Sequence, residues 1–128
     1  MNKLKILIVD DSEGIRASLE MILSNKYEIL TATNGSEAEH LFEGHAFAGN
    51  PFDLVLTDSD MPVVGGVELI SWIKTHYPNT PCILMSGGRD PLNHRADLFI
   101  SKLDIPGTIE GVIADILKDK VTVPRTSS

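Results

Sequence analysis

The chain has 128 residues, 42% hydrophobic and 23% charged, proportions that fit one folded domain and exclude a disordered chain, a collagen-like repeat or a disulfide scaffold. Eighteen acidic side chains against eleven basic ones give a net charge of −7, which argues against a nucleic-acid surface built on clustered basic charge. The lone Cys82 makes no internal disulfide and the apolar run Ile6–Val9 is too short for a signal peptide or a membrane span, so a cytoplasmic domain with no membrane partner is expected.

Leu4–Val9 is a run of Ile, Leu and Val ended by Asp10 and Asp11, the pattern of a strand buried on both faces. Ser12 is placed to cap a helix whose apolar positions Ile15, Leu19, Ile22 and Leu23 recur at three-and-four spacing. Tyr27–Ala32 reads as a second strand. Asn34-Gly35 makes a turn, and Ser36-Glu37-Ala38-Glu39 reads as a capping box opening a helix that buries Ala38, Leu41 and Phe42. Phe52–Thr57 is a third strand, followed by Asp58. Gly65-Gly66 precedes a helix with Leu69, Ile70, Ile73 and Tyr77 on one face, which stops ahead of Pro78. Cys82–Met85 and Leu98–Ser101 supply the fourth and fifth strands. A last helix is expected from near Pro106 to about Lys118, with Ile109, Val112, Ile113 and Ile116 inward. The domain thus spans 1–118, and 119–128 form a polar tail.

Repeated strand–helix units predict a flavodoxin-like, doubly wound α/β domain: five parallel strands in the order 2-1-3-4-5 with helices on both faces. In such sheets ligands bind outside the carboxyl ends of the strands, where strand order reverses. Asp10 and Asp11 follow the first strand, Asp58 the third, Ser86 ends the fourth and Lys102 follows the fifth. Taken singly, such an Asp is a turn or cap residue, Lys102 a solvated charge and Ser86 a turn hydroxyl. Their joint placement points to chemistry. Three converging carboxylates repel unless a cation intervenes, and Mg²⁺ suits that ligand set. A carboxylate also attacks phosphorus, so Asp58 is read as the acceptor of a phosphoryl group, whose oxygens Mg²⁺, Lys102 and the Ser86 hydroxyl stabilise.

The stretches Lys5-Ile-Leu-Ile-Val-Asp-Asp11, Ala32-Thr-Asn-Gly-Ser-Glu-Ala38, Asp53-Leu-Val-Leu-Thr-Asp58-Ser-Asp-Met61-Pro62 with Gly65-Gly66, Ile83-Leu-Met-Ser86-Gly87 and Phe99-Ile-Ser-Lys102 resemble the receiver domain of two-component response regulators. The resemblance covers about residues 3 to 118. It implies Asp58 as phosphoacceptor, Asp10 and Asp11 as Mg²⁺ ligands joined by Asp58 and the backbone carbonyl of Asp60, and Ser86 and Lys102 on the phosphoryl group. Phe99 matches the aromatic that turns inward when Ser86 moves. A sensor histidine kinase or histidine phosphotransfer protein is the implied donor and a downstream protein the target. The implied catalysis is self-phosphorylation and slow self-dephosphorylation, in a stand-alone domain that signals through protein contacts.

Three departures stand out. Fifteen residues separate Ser86 from Lys102 and include Gly87, Gly88 and Pro91, so Leu92–Asp97 has room for a turn or two and the family's fourth helix is expected to be truncated or absent. Leu103 replaces the family's cis-proline, and a trans bond is expected because a non-proline cis bond costs about 2.5–4 kcal/mol. Asp60 adds a carboxylate two residues past the acceptor. Two alternatives remain: a receiver-like binding module that is never phosphorylated, and a haloacid-dehalogenase-type phosphotransferase using Asp58-Ser-Asp60, in which Asp10 and Asp11 have no role. His40, His45, His76 and His94 lack ligand spacing and read as surface residues, Cys82 as a small buried hydrophobe, and Trp72 as half-buried beside its helix's apolar stripe.

Overall fold

The computed structural model describes residues 3–91 and 93–122. Five parallel strands, β1 (Lys5–Val9), β2 (Glu28–Ala32), β3 (Leu54–Asp58), β4 (Cys82–Ser86) and β5 (Leu98–Ser101), make one sheet in the order β2-β1-β3-β4-β5. Every residue of β1, β3 and β4 is buried, which explains why their sequences run apolar without alternating. Ile6, Ile8, Leu54, Leu56, Ile83 and Met85 share a core with helices α1 (Glu13–Leu23) and α4 (Ile105–Thr122). Leu7, Val9, Val55, Cys82 and Leu84 pack with α2 (Gly35–Phe47) and α3 (Gly66–His76). This is the expected doubly wound arrangement.

Local chemistry sets the helix starts. Ser12 is extended and its Oγ accepts the Ile15 N–H at 3.3 Å, a cap worth about 1 kcal/mol. The start of α2 differs from the sequence reading. Asn34, not Ser36, is the cap: its Oδ1 accepts the Glu37 N–H at 2.9 Å, and Glu37 Oε1 reaches back to the Thr33 N–H at 2.7 Å. The box is displaced because the Gly35 N–H donates to Val64 O (2.9 Å), so the helix opens at a glycine that packs on the β3–α3 loop.

The last helix also departs from expectation. A 3-10 turn over Lys102–Asp104 leads directly into α4, which ends at Thr122 rather than near Lys118. Leu117, fully buried, extends the stripe Ile105, Ile109 and Ile113 by another turn, while Val112 and Ile116 are only partly buried at its flank. Residues 123–128, where part of the polar tail was placed, lie outside the described residues.

Among the described residues no helix joins β4 to β5, and Leu92 of the segment expected there lies outside them. Polar anchors hold this stretch against α3: Lys74 Nζ lies 2.7 Å from Asp97 Oδ2, and Arg95 Nη1 donates to Thr75 Oγ1 at 3.0 Å. His94, expected on the surface, is 14% exposed and sits 2.6 Å from Asp90. His45 is likewise half-buried, its Nδ1 2.6 Å from the Nζ of Lys5, whose ammonium is covered by Asn50 O and the Phe52 ring. His40 and His76 are exposed, Trp72 is half-buried and Cys82 is buried, as expected. No cis peptide occurs among the described residues, so the bond to Leu103 is trans.

Two glycines predict opposite outcomes for one substitution. A Cβ on Gly66 would collide with the backbone carbonyl of Asp58, so Gly66→Ala is expected to lower stability by about 2 kcal/mol or more. Gly111 in α4 faces open space, so Gly111→Ala is expected to add up to about 1 kcal/mol. Urea titration of both variants checks the pair; a destabilised Gly111→Ala or a neutral Gly66→Ala contradicts the packing described.

Candidate functional site

Because β1 and β3 are neighbours, their carboxyl ends bring Asp10, Asp11 and Asp58 together, with one oxygen of each within 4.8 Å of the others. Asp10 is fully buried and Asp58 is 6% exposed, while Asp11 faces solvent. The Lys102 ammonium reaches in from the end of β5, 2.8 Å from Asp10 Oδ2 and 3.1 Å from Asp58 Oδ1. Asp10 Oδ1 accepts the Ser12 N–H at 2.9 Å, whereas Oδ2 has the Lys102 ion contact but no aligned hydrogen bond.

The charges decide the site's character. Burial pushes the Asp58 carboxyl above its ordinary pKa, reinforced by the charge of Asp10 and only partly offset by Lys102. Burial disfavours the Lys102 ammonium, but Asp10 and Asp58 outweigh that and raise its pKa. Three carboxylates against one ammonium leave two negative charges in excess. The donor set fits a hard divalent cation: clustered carboxylate oxygens, one of them buried without a hydrogen bond, and a solvent-facing side at Asp11 for the waters Mg²⁺ retains.

The remaining candidates lie around this cluster. Ser86 ends β4, 4% exposed, and its Oγ accepts the Gly88 N–H at 3.0 Å. Asp58 pairs with Met85, so Ser86 stands one residue beyond the partner of Asp58 on the adjoining strand. Asp60 is exposed on the β3–α3 loop. That loop is held unusually: Val63 has φ 70, a conformation costly for a β-branched residue, and the Val64 N–H donates to Pro62 O at 2.9 Å across it. Phe99, half-buried, packs with the α2–α3 core. Cys82 plays no part in the cluster; burial pushes its thiol up to about 12, leaving it protonated at neutral pH.

One neighbour escaped the sequence reading. Arg16, on the first turns of α1, donates from Nη1 to the Asp10 carbonyl at 2.8 Å. Its position five residues past an acid pair, on a helix starting beside the site, was the available signal. Among the described residues no helix is long and apolar enough to cross a membrane.

Comparison with known proteins agrees with this geometry. The family model for the response regulator receiver domain matches residues 6–110. The response regulator protein PilR of Pseudomonas aeruginosa is 38% identical over 87 residues, covering 67% of this chain and 18% of that protein. The autoinducer 1 sensor kinase/phosphatase LuxN of Vibrio campbellii is 34% identical over 110 residues, covering 84% of this chain and 12% of that protein. The chain therefore spans less than a fifth of either relative. Among solved structures, a CheY-like receiver domain protein from Methanospirillum hungatei superposes with TM-score 0.82 at 27% identity, covering 96% of this chain and 100% of that one. The response regulator TrrA from Thermotoga maritima, solved in complex with Mg²⁺ and BeF, gives TM-score 0.76 at 28% identity over 89% of this chain and 99% of its own. An aspartate cluster at the switch point of a five-stranded 2-1-3-4-5 sheet, together with this family match, places the chain in the response regulator receiver domain family of two-component systems.

Proposed function

We propose that this receiver domain is a phosphorylation-dependent switch: Asp58 accepts a phosphoryl group from a histidine kinase or a histidine phosphotransfer protein in the cytoplasm, and the modified domain signals to a protein target. The observation that carries the reading is the convergence of Asp10, Asp11 and Asp58 with Lys102 set between the two buried carboxylates. Asp10, Asp11, Asp58 and the Asp60 carbonyl are the groups assigned to Mg²⁺, which when bound supplies positive charge that offsets the carboxylates and the phosphoryl oxygens. An Asp58 oxygen forms the new P–O bond as the P–N bond to the donor imidazole breaks, and the imidazole keeps that electron pair. Lys102 then exchanges its contact with Asp58 for one with a phosphoryl oxygen, and the Ser86 hydroxyl donates to another. Phe99 follows Ser86 inward. Asp60, exposed beside the acceptor, borders the path by which water returns the site to its resting state.

Support for a histidine-bearing donor comes from the family and from relatives that are themselves sensor kinases. The family match leaves no place for the haloacid-dehalogenase-type reading, whose motif follows the first strand. A constitutive binding module is the contrasting outcome of the tests below.

Mg²⁺ at ten times its Kd is expected to add about 1.4 kcal/mol of stability, a rise of a few degrees in Tm. Asp58's folded pKa is raised, chiefly by burial, so its contribution is stabilising below its unfolded pKa and is lost as pH rises through the folded value; at pH 7, above the unfolded pKa, the shift counts against the metal-free folded state. Asp58→Asn is therefore expected to raise the metal-free Tm at pH 7 and to shrink the Mg²⁺ response. No Mg²⁺ response in the unmodified protein contradicts the metal assignment.

Lys102→Ala separates metal binding from switching. With Mg²⁺ and beryllofluoride, a phosphoryl mimic, the unmodified protein is expected to show amide shift changes around Asp11, Ser86 and Phe99. The variant is expected to retain the Mg²⁺-dependent change at Asp11 and lose the one at Phe99. An undiminished Phe99 response rules out the role given to Lys102.

A further inference from the structure

The carboxylate of Asp11 faces solvent, and no side-chain hydrogen bond to it is among those described, so its aim into the cluster depends on the backbone that carries it. That backbone is the Asp10–Asp11 peptide. Because a peptide is planar, fixing the direction of the Asp10 carbonyl also fixes the Asp11 N–H and narrows the directions open to the Asp11 side chain. Arg16 does this: its Nη1 donates to the Asp10 carbonyl at 2.8 Å, a charge-assisted bond made from a helix already anchored to the same loop. The anchors are the Ser12 cap, the Ser12 N–H on Asp10 Oδ1, and the Arg16 N–H on Ser12 O at 3.1 Å. Glu37, in the first turn of α2, accepts the Thr33 N–H at 2.7 Å and the Thr33 hydroxyl at 2.9 Å, bonds that lower its pKa with a smaller contribution from the charge of Arg16.

We infer that Arg16 is a positioning residue for divalent-cation binding: it orients the Asp10–Asp11 peptide so that the acid pair converges with Asp58. The inference rests on the metal assignment proposed above and extends it to a residue that touches neither the cation nor the phosphoryl group.

Electrostatics gives the test its sign. If Arg16 acted only as a nearby positive charge, removing it would make the cluster more negative and tighten Mg²⁺ binding. A positioning role predicts the opposite, since loss of a group that orients metal ligands weakens affinity by about 10-fold or more. Arg16→Met keeps the apolar stem and removes the donor; Arg16→Lys keeps a donor on a stem of similar reach. Mg²⁺ Kd is measured by calorimetric titration at fixed ionic strength, with Tm recorded in the absence of metal. The expected result is a Kd about 10-fold weaker in Arg16→Met, with partial recovery in Arg16→Lys, whatever the change in metal-free Tm. Arg16→Gln is measured in parallel, so that a folding failure in one variant leaves another to decide. Wild-type or tighter affinity in Arg16→Met or Arg16→Gln overturns the inference while leaving the metal site intact. Absence of Mg²⁺ binding in the unmodified protein overturns the metal assignment, and the inference with it.

Discussion

The Lys102 ammonium, held between Asp10 and Asp58 at 2.8 and 3.1 Å, is the interaction around which the acidic end of this sheet is arranged. Two buried carboxylates cannot sit side by side in a protein interior without a counter-charge, because each loses hydration and repels the other. Lys102 supplies one positive charge where three negative ones meet. That imbalance is why a divalent cation suits the cluster. Burial raises the pKa of Asp58, and the neighbouring charge of Asp10 adds to that shift. A fully neutralised cluster would hold its shape better and have less reason to bind anything.

The scaffold makes this arrangement possible through its topology. Strands β1 and β3 are distant in sequence and adjacent in the sheet, so two acidic strand ends meet where the order reverses. Gly66 lets α3 start in contact with the Asp58 backbone, and Gly35 lets α2 start in contact with the β3–α3 loop. Both helix starts therefore bear on the site. The β4–β5 connection is built differently. Where an apolar helix face would cover the sheet beside α3, ion pairs and hydrogen bonds from Lys74, Arg95 and Asp97 pin an irregular stretch. Contacts of this kind contribute less each than a buried apolar face and are more easily exchanged. Among the described residues of the segment between Ser86 and Phe99, Arg95 and Asp97 are tied to α3 and β4 by polar contacts.

Strands β1, β3 and β4 were legible because burial on both faces leaves no alternative to continuous apolar residues, and the strand order followed from the rules for parallel sheets. The acid triad and Lys102 could be found because each stands directly at a strand end. Details that depend on tertiary contact were not legible. Ser36-Glu37-Ala38-Glu39 has a cap signature, yet Asn34 caps α2, because Gly35 is drawn into contact with Val64 of the β3–α3 loop, distant in sequence. The burial of His45 depends on Lys5, itself 2% exposed, meeting it from the start of β1. Val63 at positive φ contradicts residue preference, which assigns such turns to Gly or Asn. Arg16 was not legible, since only a side chain's path shows which carbonyl it reaches.

The central claim is that Asp58 takes a phosphoryl group with the help of a divalent cation. Intact-mass spectrometry after incubation with a small acyl phosphate, with Mg²⁺ present or chelated, tests it most directly. The account predicts a gain of a single phosphoryl group that requires Mg²⁺. A protein whose mass does not change under either condition contradicts the account, and leaves a receiver fold that recognises its partners without being switched.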